Sequence, residues 1–136
     1  MGFKDFKDLD VWKLGRELRQ EVMLLADAFP AEERYRLADQ IIRSSRSITN
    51  NVAEGHGRYH YQENIQFCRI ARGSLSETDD HLLIALECDY LSIDKYKEYE
   101  EKILALRKKL NGYIAYLERS KAESNHSQIS TNKLKT

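Results

Sequence analysis

The last third of the sequence contains seven apolar side chains that repeat at alternating steps of three and four residues. The repeat consists of Tyr96, Tyr99, Ile103, Leu106, Leu110, Tyr113 and Leu117. A heptad of this kind places one apolar stripe along a helix, and that stripe must pack against other helices to be stable. Ser92 precedes the repeat in the position of an N-cap, so the sequence predicts a helix that begins there.

Three earlier segments have the same helical period. The first covers about 8–29 and ends before Pro30, which opposes continuation of a helix. The second ends at Gly55 and has an unusually slim apolar stripe, with a small, polar opposite side. The third covers about 61–88 and is the most apolar.

Four helices with short connections favour an all-α, antiparallel, up-down-up-down four-helix bundle. The composition agrees, since only one proline and six glycines occur in 136 residues. We expect one bundle domain over 1–119 and a disordered tail over 120–136, where apolar periodicity ends. No apolar run is long enough for a membrane span, so we expect a cytoplasmic protein without a membrane partner.

The third segment is apolar on more than one side. Ile65, Ile70, Leu83 and Ile84 fall outside its main stripe, and Gly73 lies between Ile70 and Ile84. A helix with two apolar sides needs two covers, and in a domain of this size the second cover is expected to be another subunit. We therefore predict a homo-oligomer in which Gly73 permits close backbone approach.

Cys68 and Cys88 lie twenty residues apart in this predicted helix, roughly 30 Å at 1.5 Å per residue. They cannot pair within one chain. We interpret them as reduced, semi-buried core thiols.

Charge is segregated along the chain, although 22 basic residues balance 22 acidic ones. Residues 73–101 carry nine acidic and two basic side chains, and 102–136 carry two acidic and eight basic ones. Tyr59 and Tyr61 beside Arg58 could stack on unpaired bases. The candidate nucleic-acid-binding cations are Arg43, Arg46, Arg58, Arg69, Arg72, Lys108 and Lys109. In the alternative interpretation these arginines pair with acidic groups of the third helix or of a neighbouring subunit, and the chain is a protein–protein scaffold.

Catalytic patterns are weak. Glu77 and His81 share a helix face but would need further ligands to hold a metal, so a surface pair is the preferred interpretation. Glu98 and Glu101 form only one acidic pair, whereas magnesium-dependent nucleotide hydrolases need carboxylates from at least two helices. "GHGR" lacks the strand and lysine of a phosphate-binding loop. We predict no enzyme, no cofactor and no metal.

The segment "SITNNVAEGHGRYH", residues 47–60, interrupts the helical pattern. We interpret Gly55 and Gly57 as the turn, and Asn51 as a side chain that satisfies backbone groups at the helix end. The segment is then a structural corner first and an assembly contact second. The predicted structural-motif or interface residues are Ser47, Asn50, Asn51, Glu54, Gly55, Gly57, Ile70, Gly73, Glu77 and Ile84. Three of these, Ser47, Asn50 and Glu54, should face away from the core.

Two stretches, "QIIRSSRSITNNVAEGHGR" and "FCRIARGSLSE", resemble the signature of the bacterial four-helix bundle family first noted in intervening sequences of 23S ribosomal RNA genes. The resemblance includes "DLDVWKLGRELRQEV" and "FPAEERYRLADQI" and covers about residues 6–117. The matching motif positions are Gln40, Ser47, Ile48, Asn51, Ala53, Glu54, Gly55, Gly57, Arg58, Gly73, Ser74 and Glu77.

The resemblance implies a ring-shaped homopentamer and provides no catalytic residue. A relative, the accessory variability protein of diversity-generating retroelements, is associated with nucleic acid through a strongly basic surface. The present chain is neutral overall, so we expect any RNA or ribonucleoprotein binding to be weaker and salt-sensitive. His60, Thr78 and His81 depart from the residues usual at their positions.

Overall fold

The computed structural model describes residues 5–135, with side chains described as far as Ile129. The described chain forms four α-helices, and two short 3-10 helices precede α1 and α2 at Phe6–Asp8 and Ala31–Glu33. The α-helices are α1 (Asp10–Asp27), α2 (Leu37–His56), α3 (Tyr61–Glu87) and α4 (Ile93–Lys135). Within the described residues, no helix has the length and apolarity required to cross a membrane.

Contacts between helices establish the antiparallel order. Between α3 and α4, Arg69 pairs with Glu118 and Arg72 with Asn111, so one number rises as the other falls. The pairs Ser47–Ser74 and Ser44–Thr78 give the same opposed direction for α2 and α3. Along α1 and α4, Asp10 pairs with Lys109, and Glu21 with Lys102. The predicted up-down-up-down bundle is confirmed.

The apolar stripe of α4 lies in the core as the heptad predicts. Six of its seven members are buried, and Tyr113 is partly buried. Ile114 joins the core beside them and was not predicted. Ser92 Oγ accepts a hydrogen bond from the backbone N–H of Lys95 at 3.1 Å, as expected of an N-cap.

A polar seam joins α2 to α3 inside the bundle. The Thr78 hydroxyl is fully buried and lies 2.9 Å from Ser44 Oγ, while Ser74 Oγ donates to Ser47 Oγ at 2.8 Å. Asn51 Nδ2 donates to the carbonyl of Ser47 at 2.7 Å. The prediction that Ser47 faces away from the core is therefore wrong, because the polar side of α2 at Ser47 packs closely against small hydroxyl residues of α3. Buried hydroxyls with partners avoid the desolvation penalty of unpaired ones.

The second apolar side of α3 is only partly as predicted. Ile65 is buried within the chain, because it lies toward α4 beside Glu118. Ile70 and Ile84 stay on the outside, 52% and 37% exposed. Gly73 lies between them, and a Cβ added there would meet no atom within 4 Å. An uncovered strip with an open glycine therefore remains on α3.

Helix α4 extends to Lys135, although the sequence predicts a disordered tail from residue 120. Strong helix formers continue α4 at Lys121, Ala122 and Glu123, whereas the Ser, Asn and Thr residues further along are weaker helix formers. The side chains of 122–129 are all exposed, so tertiary packing adds little to this stretch. Division of the chain at residue 119 stays a prediction.

The two cysteines have different surroundings, which corrects the expectation that both are semi-buried. Cys68 is fully buried, and its thiol lies 3.5 Å from Asn64 Oδ1. Cys88 is exposed, because it lies just beyond the last residue of α3. Burial raises the pKa of Cys68 to about 12.

We predict that one thiol per chain reacts rapidly with a disulfide reagent at about pH 8. A pKa of about 12 leaves roughly one Cys68 in ten thousand as thiolate at that pH, and the thiolate is the reactive form. With an aromatic disulfide as the reagent, the absorbance of the released aromatic thiol measures the rate of the reaction. Cys88→Ser should remove the fast phase, and denaturant should release the second thiol. Equal rates for both thiols in the folded protein would contradict the prediction.

Candidate nucleic-acid interface

The connection between α2 and α3 is short, because α2 ends at His56 and α3 begins at Tyr61. Gly57 caps α2 in right-handed helical geometry, with φ −75° and ψ −8°. His60 precedes α3 in extended geometry, φ −102° and ψ 139°, and its side chain makes no capping hydrogen bond. The three residues Arg58, Tyr59 and His60 are thus presented at one end of the bundle, all of them exposed.

Glycine has a different role here from the predicted turn. Gly55 is inside α2, and a Cβ there would lie 2.6 Å from Asn64 Oδ1 and 2.9 Å from Phe67 Cβ. Neither Gly55 nor Gly57 has a positive φ, so the turn does not require glycine at either position. Gly55 permits the close approach of α2 to the first turns of α3.

A cavity of about 220 Å³ opens beside this corner. The cavity combines four tyrosines with two histidines, an arginine, an amide and a leucine. They are Tyr59, Tyr61, Tyr113, Tyr116, His56, His60, Arg58, Asn64 and Leu117. Aromatic faces beside a guanidinium and an amide are the side chains that hold unpaired bases.

The rings of this corner pocket differ in exposure and in contacts. Tyr59 is 94% exposed, and its one ring contact among the described residues is edge-on with His60, with centroids 5.0 Å apart. Tyr113 and Tyr116 are nearly parallel, at 14° and 6.2 Å between centroids. Asn64 Nδ2 donates to the Tyr113 hydroxyl at 3.3 Å, which fixes the amide at the floor. The pocket therefore has a floor whose side chains contact one another and one exposed ring at its edge.

Arg58 joins the pocket to the rest of the corner. Its guanidinium donates to Glu54 Oε1 at 2.7 Å, and Glu63 Oε2 lies 3.8 Å away. The guanidinium also lies over the ring of Phe67, 4.9 Å from the centroid. Two carboxylates therefore compensate the charge of Arg58 before any ligand arrives.

Comparison with known proteins identifies the family of the chain. The family model described as "23S rRNA-intervening sequence protein" matches residues 7–112. The chain belongs to this family. A crystal structure of a protein of unknown function from the S23 ribosomal protein family of Bacteroides thetaiotaomicron has the same fold, with a TM-score of 0.71 at 22% identity. The match covers 76% of the present chain and 97% of that one. Among curated proteins, no sequence matches this chain.

Most of the cations predicted for this 23S rRNA-intervening sequence protein are paired within the chain. Arg43 lies 3.0 Å from Asp39, and Arg69 lies 3.2 Å from Glu118. Two weaker contacts are those of Arg72 with Asn111 at 2.9 Å and of Lys109 with Asp10 at 4.0 Å. Among the described residues, Arg46 and Lys108 have no ion pair and stay exposed. The predicted set is therefore spread over several faces, and four of its seven cations have a carboxylate partner.

Sequence reasoning missed Asn64, Tyr113 and Tyr116 of the corner pocket. The two tyrosines come from α4, far along the chain, and Asn64 lies in the first turn of α3 without a pattern that marks it. Sequence reasoning also missed Arg16 and Arg19, which follow Trp12 at steps of four and three. That spacing on one helix face was a usable signal, because it predicts stacking of both guanidiniums on the indole.

The candidate metal pair has no support from the geometry. Glu77 is exposed on the outer face of α3, and in the described part of the chain it forms no ion pair with His81. His81 Nδ1 is buried and has no hydrogen-bond partner among the described residues. No three histidine, cysteine or acidic side chains come together within those residues to hold an ion.

Proposed function

We propose that this chain is a non-catalytic, oligomeric binding module for RNA or a ribonucleoprotein. The observation that carries the proposal is the corner pocket, with four tyrosines, Arg58 and Asn64 around one cavity. Stacking of a base on an aromatic side chain contributes about 1–3 kcal/mol and tolerates any base. The name of the structural neighbour's family, S23 ribosomal protein, is compatible with such a partner, whereas the family description of this chain refers to the intervening sequences of 23S rRNA genes.

The neutral charge of the chain changes how it would bind. Arg58 already has two carboxylate neighbours, so a phosphate would gain less from it than from a free arginine. We therefore expect stacking to supply most of the affinity at the corner. The dependence on salt should be correspondingly shallow for the corner alone.

Replacing Tyr59 with alanine should weaken binding of short, fluorescently labelled, single-stranded RNA by about five- to tenfold, since one stacking platform is lost. Fluorescence anisotropy at about 50 mM salt measures the dissociation constant. A structured RNA, whose bases are already stacked, should bind more weakly than the single strand.

Tyr35→Ala is the matched control. Tyr35 is 82% exposed and lies beside Arg34, whose guanidinium is 5.5 Å from the ring, but this pair precedes α2 at the opposite end of the bundle. Both variants therefore lose an exposed tyrosine beside an arginine, and they differ in the end of the bundle at which that tyrosine lies. Absence of binding to the unmodified protein at low salt, or equal losses in both variants, would refute the RNA proposal.

Homo-oligomerisation is the second part of the proposal. Exposed Ile70 and Ile84 flank the open Gly73 on the outer face of α3, and covering them would remove apolar surface from water. Five copies in a ring is the arrangement that the family resemblance implies.

The alternative function is a protein–protein scaffold without nucleic acid. One specific observation favours it: carboxylates of the same chain pair with Arg43, Arg58, Arg69 and Lys109. In that case the assembly would form normally and the RNA titration would remain flat.

A further inference from the structure

The contact between α1 and α2 places Arg46 of α2 near Arg16 and Arg19 of α1, away from the corner pocket. A Cβ at Gly15 would lie 3.0 Å from Thr49 Cγ2, so these two positions face each other across the helix pair. Because consecutive helices run in opposite directions, one turn forward along α1 to Arg19 corresponds to about one turn back along α2 to Arg46. Arg16 lies three residues before Arg19 on the same face.

An aromatic platform orients two of these side chains. The guanidiniums of Arg16 and Arg19 lie over the ring of Trp12, at 5.9 and 5.6 Å from its centroid. Phe6 contacts the indole edge-on at 5.3 Å and supports it from the side. A guanidinium stacked on an aromatic face keeps its in-plane N–H donors free for an acceptor.

The cluster, Arg16, Arg19 and Arg46, lacks a compensating anion. Among the described residues, no carboxylate forms an ion pair with any of the three. Arg19 Nη1 is buried and has no hydrogen-bond partner in the described part of the chain. Burial lowers the pKa of Arg19, and the charges of Arg16 and Arg46 lower it further. An arginine nevertheless stays protonated, so a partly desolvated positive charge awaits an acceptor.

A groove lies between the Trp12 platform and the corner. It is lined by Phe6, Asn50, Ala53, Glu54, Gly57 and Arg58. Phe6 contacts the Trp12 platform at one end, and Arg58 belongs to the corner pocket at the other. One extended ligand could therefore contact both places.

We propose that Arg16, Arg19 and Arg46 form a binding site for a phosphate group. Three guanidiniums from two helices suit a tetrahedral anion whose oxygens point in several directions, whereas a planar carboxylate is satisfied by one bidentate arginine. This inference rests on the proposed function, in which the phosphate belongs to an RNA strand whose bases reach the corner pocket. Free inorganic phosphate presents the same chemistry.

Trp12 is the single tryptophan of the chain and reports directly on this site. Titration of the full chain with a short oligouridylate at low salt should change its fluorescence in a saturable way. Arg46→Gln should weaken that response by about tenfold, since a charge-assisted contact is lost. Arg43→Gln is the matched control, three residues away on the same helix and already paired with Asp39, and it should have less than about a twofold effect.

Arg19→Met gives a second readout that does not depend on a ligand. This substitution removes a half-buried charge without an ion pair and its repulsion from two arginines, while methionine keeps an apolar contact with Trp12, so the melting temperature should rise and the Trp12 response should disappear. A variant that melts higher without binding cannot be explained by misfolding. A lower melting temperature would overturn the site, because it would mean that the contact with Trp12 stabilises Arg19 by more than its missing anion costs.

The remaining outcomes separate the two proposals. If inorganic phosphate alone changes Trp12 emission but no RNA binds, the phosphate site stands and the RNA function fails. If labelled RNA binds in a Tyr59-dependent manner while Trp12 stays silent to RNA and phosphate, the function stands and the phosphate site fails. A response to polyglutamate alone would assign the cluster to an acidic protein and overturn the proposal, as would equal losses in Arg46→Gln and Arg43→Gln.

Discussion

Replacing Gly55 with alanine is expected to lower the free energy of unfolding by about 2 kcal/mol, the cost of forcing a methyl group into a filled contact. The new Cβ would lie 2.9 Å from Phe67 Cβ and 3.1 Å from the backbone carbonyl of Asn64, neither of which can swing away. This penalty exceeds the gain of up to about 1 kcal/mol that alanine brings to a helix interior. Thermal unfolding at fixed protein concentration measures the change.

Gly57→Ala is the control, two residues further along. Its Cβ would meet carbonyl oxygens at 3.5 and 3.6 Å, which are ordinary contacts, and its φ of −75° suits alanine. We expect this variant to be as stable as the unmodified chain, or more stable by about 0.4–1 kcal/mol. Equal stability of the two variants would show that α2 and α3 can separate at the corner without cost. Since Asn64 lines the pocket, Gly55→Ala should also weaken RNA binding.

The four-helix bundle could be predicted from the sequence, because the spacing of apolar residues shows which side of each helix is buried. The heptad of α4 needed only spacing, and all seven positions contact the core. Part of the family motif lies at the α2–α3 corner, where the two helices approach each other closely. Gly55 in that motif has an atomic explanation in its contacts with Asn64 and Phe67.

Contacts between distant segments could not be read in the same way. Ser47 and Thr78 look like surface residues in a sequence, but each finds a hydroxyl partner across the α2–α3 seam and is withdrawn from water. Arg69 appears available for phosphate, yet Glu118 lies 49 positions away and 3.2 Å from it. The period of apolar residues shows which face of a single helix is buried. A side-chain pair between two helices depends on how those helices are aligned along their axes.

The same limitation explains the change in the candidate site. Arginines of α2 and α3 attracted attention because they are dense in sequence, and most proved to have partners. The unpaired cluster draws Arg16 and Arg19 from α1 and only Arg46 from the predicted set. Whether a charged side chain has a partner depends on its neighbours in three dimensions. It can be judged only when the acidic and basic residues of all helices are placed relative to one another.

Replacing Gly73 with glutamine is expected to break the assembly without harming the fold. No atom of the described chain lies within 4 Å of a Cβ at this position, so the isolated bundle should gain up to about 1 kcal/mol from the better helix former. If a second subunit packs on the strip containing Ile70 and Ile84, the same side chain must separate the two backbones. Light scattering with mass detection at micromolar concentration should show the unmodified chain as an oligomer and Gly73→Gln as a monomer or smaller species.

Gly112→Gln distinguishes assembly from helix propensity. Gly112 lies in α4, and a Cβ there also meets nothing within 4 Å, so both variants gain the same intrinsic helix stability. We expect Gly112→Gln to melt higher and to retain the oligomer, whereas Gly73→Gln loses it. A monomeric unmodified chain, or an oligomer of unchanged mass in Gly73→Gln, would remove the α3 strip as a subunit contact. The open glycine would then be an ordinary surface residue, and exposed Ile70 and Ile84 would need a partner other than a second copy of this chain.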